Sequence, residues 1–142
     1  TGEQKPFNMR RTIITDDQGR YKFQSIVPKG YGCPPDGPTQ ALLNQLGRHG
    51  NRPAHIHFFV TADGHRKLTT QINIDGDPLV YDDFAYATRE GLVPPLVSHT
   101  DAASIKAEGL NGPFAEIVFD FTLSPLVNGV DNQIVERPRL AA

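Results

Sequence analysis

The segment "RPAHIHFFV", residues 52–60, has the composition of a buried β-strand, because β-branched and aromatic side chains follow one another after a proline. Alternation of polar and apolar residues resumes in "LTTQINI", residues 68–74, beyond an Asp63-Gly64 pair that is typical of a tight turn. We therefore predict a hairpin with strands over 55–61 and 68–74. The surrounding chain has short apolar stretches separated by Gly, Pro and Asp and little helical periodicity. Together these features predict a mainly β protein, a β-sandwich with short helices in its loops.

Two further segments have strand character. The stretch "FNMRRTIITDDQGRYKFQSIVP" predicts a first hairpin, with strands over 9–15 and 20–27 joined by the Asp-Asp-Gln-Gly turn. The stretch "FAEIVFDFTL", residues 114–123, alternates most clearly and predicts a strand over its whole length. The chain after Ser124 has little pattern and is predicted to be a surface extension.

Two short helices are predicted from their boundary residues. Thr39 is predicted to cap a helix that ends at Gly47, and Thr100 a helix over 101–108 that ends at Gly109. Residues 78–97 are predicted to be irregular, with no more than a helical turn or two.

Composition limits the classes of protein to consider. The chain of 142 residues is long enough for one domain with a core, and its net charge of −2 indicates no particular partner. Basic and acidic residues are interspersed, so no basic stripe suggests nucleic-acid binding. No apolar run reaches about 18 residues and no charged-then-apolar leader is present, which predicts no membrane span and a cytoplasmic protein. The single cysteine, Cys33, excludes an internal disulfide and a thiolate zinc cluster.

His55 and His57 are the first candidate site residues. Residues i and i+2 of a strand point to the same face, so the two imidazoles are predicted to share one space, as the ligands of a metal ion do. A pair of hydrogen-bonded structural histidines is the alternative. A facial-triad Fe(II) or Mn site would require a carboxylate shortly after the two histidines, but the first acidic residue is Asp63 in the turn. The pattern of helical zinc enzymes, two histidines at i and i+4 with a Glu between them, is also missing.

Tyr31 is a candidate third ligand. It lies in the glycine-flanked loop "GYGCPPDGP", where the backbone can bend to direct a phenol, and phenolate is a hard anionic donor that favours Fe(III) over Fe(II). The alternative for Tyr31 is an ordinary turn aromatic whose hydroxyl lies in water.

Three stretches taken together, "GYGCPPDGPTQALLNQLGRHGNRPAHIHFFV", "LTTQINIDGD" and "YDDFAYATREGL", resemble the intradiol ring-cleaving dioxygenases. The resemblance extends from about Met9 to about Leu123. It implies a mononuclear Fe(III) held by two tyrosines and two histidines. Matched residue by residue, the metal ligands in this chain are Tyr31, His55 and His57.

The resemblance also implies a substrate site. Arg52 and Gln71 match the polar residues beside the bound substrate, where a fixed cation and an amide stabilise developing negative charge. For Arg52 a surface salt bridge is the alternative. The residues that match the walls of the substrate pocket are Cys33, Phe84 and Ala85.

The family's first tyrosine ligand lies upstream of the "MRRTIITDDQGRYKF" hairpin, in a Trp-containing segment that this chain does not match, and Trp is absent altogether. We therefore expect residues 1–142 to be the C-terminal catalytic part of such an enzyme. The first tyrosine segment and an N-terminal helical dimerisation domain would lie outside it. With three of four protein ligands, the chain alone is not expected to have full activity.

The implied reaction is cleavage of catechol by O2 between its two hydroxyl-bearing carbons, giving cis,cis-muconate in aromatic-compound degradation by the β-ketoadipate pathway. A homodimer is implied for the intact enzyme. Alternatives are a chlorocatechol or hydroxyquinol enzyme of the same family, and a non-catalytic transthyretin-like module suggested by "ITDDQGRYKF".

Among the remaining polar residues, Asp82 and Asp83 are predicted to be helix-start caps. His49 is predicted to be either a partner of a metal-bound histidine or a loop histidine.

Overall fold

The computed structural model describes residues 5–127, so most of the predicted surface extension lies outside the described residues. Six strands and two helices follow one another within residues 5–127: β1 Tyr31–Gly32, α1 Pro38–Gln45, β2 Asn51–Arg52, β3 His55–Val60, β4 Leu68–Asn73, β5 Val97–His99, α2 Ala102–Ala107 and β6 Phe114–Glu116. The predicted mainly β class with short helices is confirmed.

The strands form three antiparallel pairs, β1 with β2, β3 with β4, and β5 with β6. Within residues 5–127 these pairs are not joined into the two sheets that a sandwich requires. The sandwich therefore stays a prediction.

The predicted central hairpin is confirmed. Strands β3 and β4 have six residues each and pair over their whole length, from His55 opposite Asn73 to Val60 opposite Leu68. Each strand ends one residue earlier than predicted. The hairpin forms as predicted because its signals are local: strand-forming side chains on both sides of a turn in which Gly64 has a φ of +72°.

The short β1–β2 ladder was not predicted and determines where Tyr31 lies. Tyr31 is paired with Arg52, and the ladder continues with a hydrogen bond from Cys33 N–H to the Gly50 carbonyl at 2.9 Å. Gly30 allows the two backbones to approach each other, since a Cβ at this position would lie 2.6 Å from the Arg52 carbonyl oxygen. The ladder therefore brings a loop tyrosine to the beginning of the histidine strand.

The prediction of strands over 9–15 and 20–27 is wrong, and the strand predicted over 114–123 ends at Glu116. The turn between the first two segments does form, because the Asp16 carboxylate accepts hydrogen bonds from the N–H groups of Gln18 and Arg20. The flanking segments form no ladder within the described residues. A strand needs a hydrogen-bonded neighbour as well as an alternating pattern, and here Ile14 is 86% exposed and Val118 75% exposed.

Both helices form, but both predicted caps are wrong. Helix α1 is preceded by Gly37 and begins with a proline, which is favoured in the first turn because its missing N–H needs no partner there, so Thr39 is not its cap. Helix α2 is capped by Asp101 rather than Thr100, because the Asp101 carboxylate accepts a hydrogen bond from Ser104 N–H at 2.8 Å.

The buried core is small and lies against the central hairpin. Its apolar members are Leu43, Ala54, Ile72, Ile74 and Val80. In the described part of the chain, four polar residues are buried with them: Arg52, Gln71, Asn73 and Asp83. The longest helix within residues 5–127 has eight residues, so none of the described helices is long enough to cross a membrane.

Candidate active site

The two predicted histidine ligands lie side by side on one face of the central hairpin. Their ring centroids are 4.8 Å apart and their planes are nearly perpendicular, at 87°. On the facing strand, Asn73 is paired with His55 and Gln71 with His57. Because paired residues of an antiparallel ladder project to the same side, the hairpin presents four polar side chains on one face.

Tyr31 joins this cluster from β1. Its ring centroid lies 5.5 Å from that of His55, and the residue is 55% exposed. The three predicted metal ligands, which are separated by up to 26 positions in sequence (31 to 57), are therefore brought together in space.

The hydrogen bonds of His55 fix the tautomer of its ring. Its Nδ1 lies 2.7 Å from the carbonyl oxygen of Pro53. A carbonyl can only accept, so Nδ1 carries the proton and Nε2 presents a lone pair. Nε2 accepts a hydrogen bond from Arg52 Nη1 at 3.2 Å, which requires the same tautomer. Metal-binding histidines share the first of these contacts, in which a protein carbonyl holds Nδ1–H and Nε2 faces the metal, so a metal ion on Nε2 would replace the hydrogen bond from Arg52.

Arg52 is a buried cation at the centre of the site. It donates from Nε and Nη2 to the two carboxylate oxygens of Asp83, both at 3.1 Å, and from Nη2 to Gln71 Oε1 at 3.0 Å. The hydrogen bonds from Arg52 to Asp83 raise the pKa of the guanidinium, with a smaller contribution from Tyr31. The alternative of a surface salt bridge is wrong for Arg52, because its partner is buried.

Asp83 is the site residue that the sequence did not reveal. The prediction that it caps a helix is wrong, since within the described residues no helix begins near it. Burial raises the pKa of Asp83, but hydrogen bonds from Arg52 and from the N–H groups of Ala85 and Ala87 outweigh burial, and the net pKa is lowered. The residue is therefore a buried carboxylate anion. Its pairing with a residue 31 positions away leaves no local signal in the sequence.

Asn73 is a second residue that was missed. Gln71 Nε2 donates to Asn73 Oδ1 at 3.2 Å, so the amide of Gln71 is held between Arg52 and Asn73. Asn73 has no exposed surface, and its Nδ2 has no hydrogen-bond partner within residues 5–127. The alternation of "LTTQINI" places residues 71 and 73 on one face of the strand, but it does not distinguish a site asparagine from a structural one.

The three predicted pocket residues lie on segments that border the cluster. Cys33 is half-buried and directly follows β1. Phe84 N–H donates to the carbonyl of Asn51 at 3.2 Å, which fixes Phe84 and Ala85 beside β2. His49 is engaged elsewhere: one ring nitrogen accepts from Asn51 N–H at 3.1 Å and the other lies 3.2 Å from an Asp82 oxygen.

The donor set suits a hard or borderline metal ion. Among residues 5–127, no three His, Cys, Asp or Glu side chains converge as a metal site, so any site here depends on the Tyr31 phenol as a ligand. Two neutral imidazoles and one phenolate provide nitrogen and hard oxygen donors without a thiolate. That set fits a ferric ion better than Cu(I) or structural zinc.

Comparison with known proteins identifies the family. A family model described as "Dioxygenase" matches residues 1–125. The chain belongs to the intradiol dioxygenase family. It is 72% identical over 141 residues to catechol 1,2-dioxygenase of Acinetobacter baylyi and 56% identical over 140 residues to catechol 1,2-dioxygenase 1 of Acinetobacter lwoffii. These alignments include 99% and 98% of this chain but only 45% and 44% of the relatives.

A solved structure agrees with the sequence relatives. The structure of catechol 1,2-dioxygenase from Acinetobacter sp. ADP1, inhibited by bound mercury, superposes with a TM-score of 0.92 at 72% identity. The match covers 99% of this chain and 46% of that one. This intradiol dioxygenase chain thus spans less than half the length of the relatives it matches.

Proposed function

We propose that the protein containing this chain is an Fe(III)-dependent dioxygenase that cleaves catechol between its hydroxyl-bearing carbons, with O2 as co-substrate and cis,cis-muconate as product. One observation carries the proposal: Tyr31 and the His55–His57 pair converge beside the buried cation Arg52, and His55 holds the tautomer that a metal ligand requires. Relatives named catechol 1,2-dioxygenase, 72% and 56% identical to this chain, support catechol as the substrate.

The proposed ligands in this chain are the Tyr31 phenolate and the imidazoles of His55 and His57. Bound Fe(III) would act as a Lewis acid that withdraws electron density from the catechol oxygens and makes the ring reactive toward O2. The protein holds these ligands through the β1–β2 ladder, which positions Tyr31, and through the Pro53 carbonyl, which orients the His55 ring. Preorganised ligands of this kind do not have to be reoriented when the metal binds.

Arg52 and Gln71 are proposed to act on the substrate. Arg52 Nη1 lies beside His55 Nε2, so a catechol bound at the metal site would lie close to the guanidinium. A guanidinium is cationic at every accessible pH, and its hydrogen bonds to Asp83 raise the pKa of Arg52 further. A fixed cation stabilises the negative charge that develops as the catechol hydroxyls lose their protons. Gln71, fixed by Arg52 and Asn73, is proposed to hydrogen-bond the same part of the substrate.

The pocket wall is proposed to include Cys33, Phe84 and Ala85. Cys33 offers a small apolar surface two positions after Tyr31, and Phe84 and Ala85 follow the buried Asp83. Small and apolar residues suit the unsubstituted ring of catechol. A non-catalytic transthyretin-like module would need neither the buried Arg52–Asp83 pair nor the oriented histidine.

We further propose that the intact protein has a preceding part that completes the site and the fold. It would contribute the family's first tyrosine ligand, a helical domain for homodimerisation and the strands that turn the three ladders into a sandwich. The 45% coverage of the Acinetobacter baylyi relative supports this proposal. So does the exposure of Ile14, Ile26 and Val118 on extended segments without a ladder partner among the described residues, since covering them would bury apolar surface. A cytoplasmic location fits this function.

The experiment measures iron content and catechol-dependent O2 uptake in the full-length protein and in His55→Ala and His57→Ala variants. Both substitutions remove a proposed ligand and should abolish iron retention and muconate formation. His65→Ala is a matched control, because His65 also has its Nδ1 against a carbonyl two residues earlier, at 2.9 Å, but lies in an exposed turn. It should keep iron and activity. Full iron retention by either His55→Ala or His57→Ala would refute the ligand assignment.

A further inference from the structure

We propose that Asp83 is a positioning residue of this site, which holds the Arg52 guanidinium in the one orientation that faces the metal and substrate side. The effect on turnover rests on the proposed function, whereas the orientation of Arg52 can be measured independently of it. The inference rests on one arrangement of side chains. Both carboxylate oxygens of the buried Asp83 accept hydrogen bonds from Arg52, and Arg52 also contacts His55 and Gln71.

The contact between the two side chains is a two-point fork. Arg52 Nε donates to Oδ1 and Nη2 donates to Oδ2, each at 3.1 Å. The side chain of Asp83 is 1% exposed and that of Arg52 is 11% exposed. Two parallel hydrogen bonds fix the plane of the guanidinium as well as its distance, which a single bond or a lysine would not do.

The orientation of that plane decides what the remaining donors of Arg52 can reach. With Nε and one Nη2 hydrogen held by Asp83, the other Nη2 hydrogen points to Gln71 Oε1 at 3.0 Å. The Nη1 group is directed to His55 Nε2 at 3.2 Å. Rotation of the guanidinium away from Asp83 would therefore remove the cation from the histidine and release the Gln71 amide.

Asp83 is itself held in place by the backbone. Its Oδ1 also accepts from Ala85 N–H at 3.0 Å, and its Oδ2 accepts from Ala87 N–H at 3.2 Å. Each oxygen thus receives one side-chain donor and one backbone donor. In an Asp83→Asn variant one oxygen becomes an NH2 group, which would face two donors with no acceptor between them. The substitution nearly preserves shape and removes the fork.

The first test compares Asp83→Asn with Asp82→Asn in the full-length, iron-loaded protein. Asp82 is the adjacent carboxylate, its side chain is 75% exposed, and it contacts His49 rather than Arg52. Asp83→Asn should lower kcat/KM for catechol about 10- to 100-fold, the range typical of residues that orient a site group, with the larger share in kcat. Asp82→Asn should retain the wild-type kcat/KM. Equal effects of the two substitutions would overturn the proposal.

A double-mutant cycle then asks whether Asp83 acts through Arg52. If it does, Arg52→Ala and the Arg52→Ala/Asp83→Asn double variant should have the same kcat/KM, because no guanidinium remains to be positioned. Multiplicative losses would show that Asp83 acts by another route and would overturn the proposal.

A readout without substrate separates this inference from the proposed function. In the iron-free protein, the Nε–H of Arg52 should give a slowly exchanging NMR signal in the wild type and in Asp82→Asn. Loss of the signal in Arg52→Ala identifies it. In Asp83→Asn the same proton should exchange fast with water. An unchanged signal in Asp83→Asn would refute the positioning role. Absence of catechol turnover in the wild-type holoprotein would instead refute the proposed function and leave the NMR result to decide the role of Asp83.

Discussion

Replacing Gly30 by alanine should separate Tyr31 from the histidine strand. A Cβ at position 30 would lie 2.6 Å from the Arg52 carbonyl oxygen and 3.5 Å from both the Ala54 nitrogen and Asp77 Oδ2. The nearest of these atoms belongs to the backbone and cannot rotate away. A carbon and an oxygen in ordinary contact are separated by about 3.3 Å or more, so the β1–β2 backbones would have to move apart by roughly 0.7 Å.

The energetic cost follows from the same contact. Gly30 does not have a positive φ, so alanine is compatible with the backbone and the penalty is steric. Overpacking of this size typically lowers the free energy of unfolding by about 1–3 kcal/mol. Because β1 carries Tyr31 and β2 carries Arg52, the same displacement should weaken iron binding in the full-length protein.

The assay is urea unfolding of the apoprotein, followed by an iron titration of each variant. Gly112→Ala is the control, because a Cβ at position 112 would meet nothing within 4 Å and its φ is not positive. Gly30→Ala should unfold at lower urea concentration than Gly112→Ala and bind iron more weakly. Identical midpoints and iron affinities for the two variants would refute the close β1–β2 approach as the cause of Tyr31 placement.

Three further predictions concern single side chains. Tyr21→Phe removes the hydrogen bond from the Tyr21 hydroxyl to the Phe119 carbonyl at 2.7 Å, and should lower the free energy of unfolding by about 1 kcal/mol in a urea titration; an unchanged midpoint would mean that this link contributes nothing. Tyr31→Phe should lose or strongly shift the visible charge-transfer band of the iron-loaded protein, because one of the proposed phenolate ligands is removed, and should leave the apoprotein midpoint nearly unchanged, because Tyr31 is 55% exposed; an unchanged band would exclude Tyr31 as an iron ligand. The folded-state pKa of Asp83 is lowered below 3.8, so its contribution to stability is complete above about pH 3.8 and is lost as the pH falls through the folded pKa. The stability difference between wild type and Asp83→Asn should therefore shrink only below pH 3.8, and a difference that is already lost at pH 5 would contradict this assignment.

Local patterns in the sequence predicted the part of the site that lies on one hairpin. Alternation on both sides of the Asp63-Gly64 turn indicated β3 and β4, and the two-residue period of a strand placed His55 and His57 on one face. The placement of Gln71 on the facing strand follows from the same hairpin, whereas its role beside the substrate was implied only by the family resemblance. Each of these inferences depends on residues close in sequence, which is why periodicity was sufficient.

The parts that could not be predicted depend on contacts between distant residues. The two-residue β1–β2 ladder is too short to produce a periodic pattern, and its cause, the close approach at Gly30, is visible only in three dimensions. The Arg52–Asp83 pair joins the last residue of β2 to an irregular segment 31 positions later. Neither contact has a signature in local composition. The loop sequence therefore left two interpretations of Tyr31 open until the family resemblance was added, Arg52 was assigned through that resemblance, and Asp83 was missed.

The segments over 9–27 and 117–123 show the opposite error. Their alternating apolar residues indicated strands, yet a strand exists only where another chain segment accepts its hydrogen bonds. The misplaced helix caps have a simpler cause. Thr39 and Thr100 are good capping residues, but a proline at the first position of α1 and an aspartate directly before α2 fix the actual boundaries.

The most direct test of the central claim is a visible absorption spectrum with iron analysis of the full-length protein, recorded before and after adding catechol without O2. We expect about one iron per chain and a phenolate-to-Fe(III) charge-transfer band that shifts when catechol binds. A protein that stays colourless and iron-free after reconstitution with ferric iron, or a band that catechol does not shift, would contradict the assignment of Tyr31, His55 and His57 as the ligands of a catechol-cleaving iron.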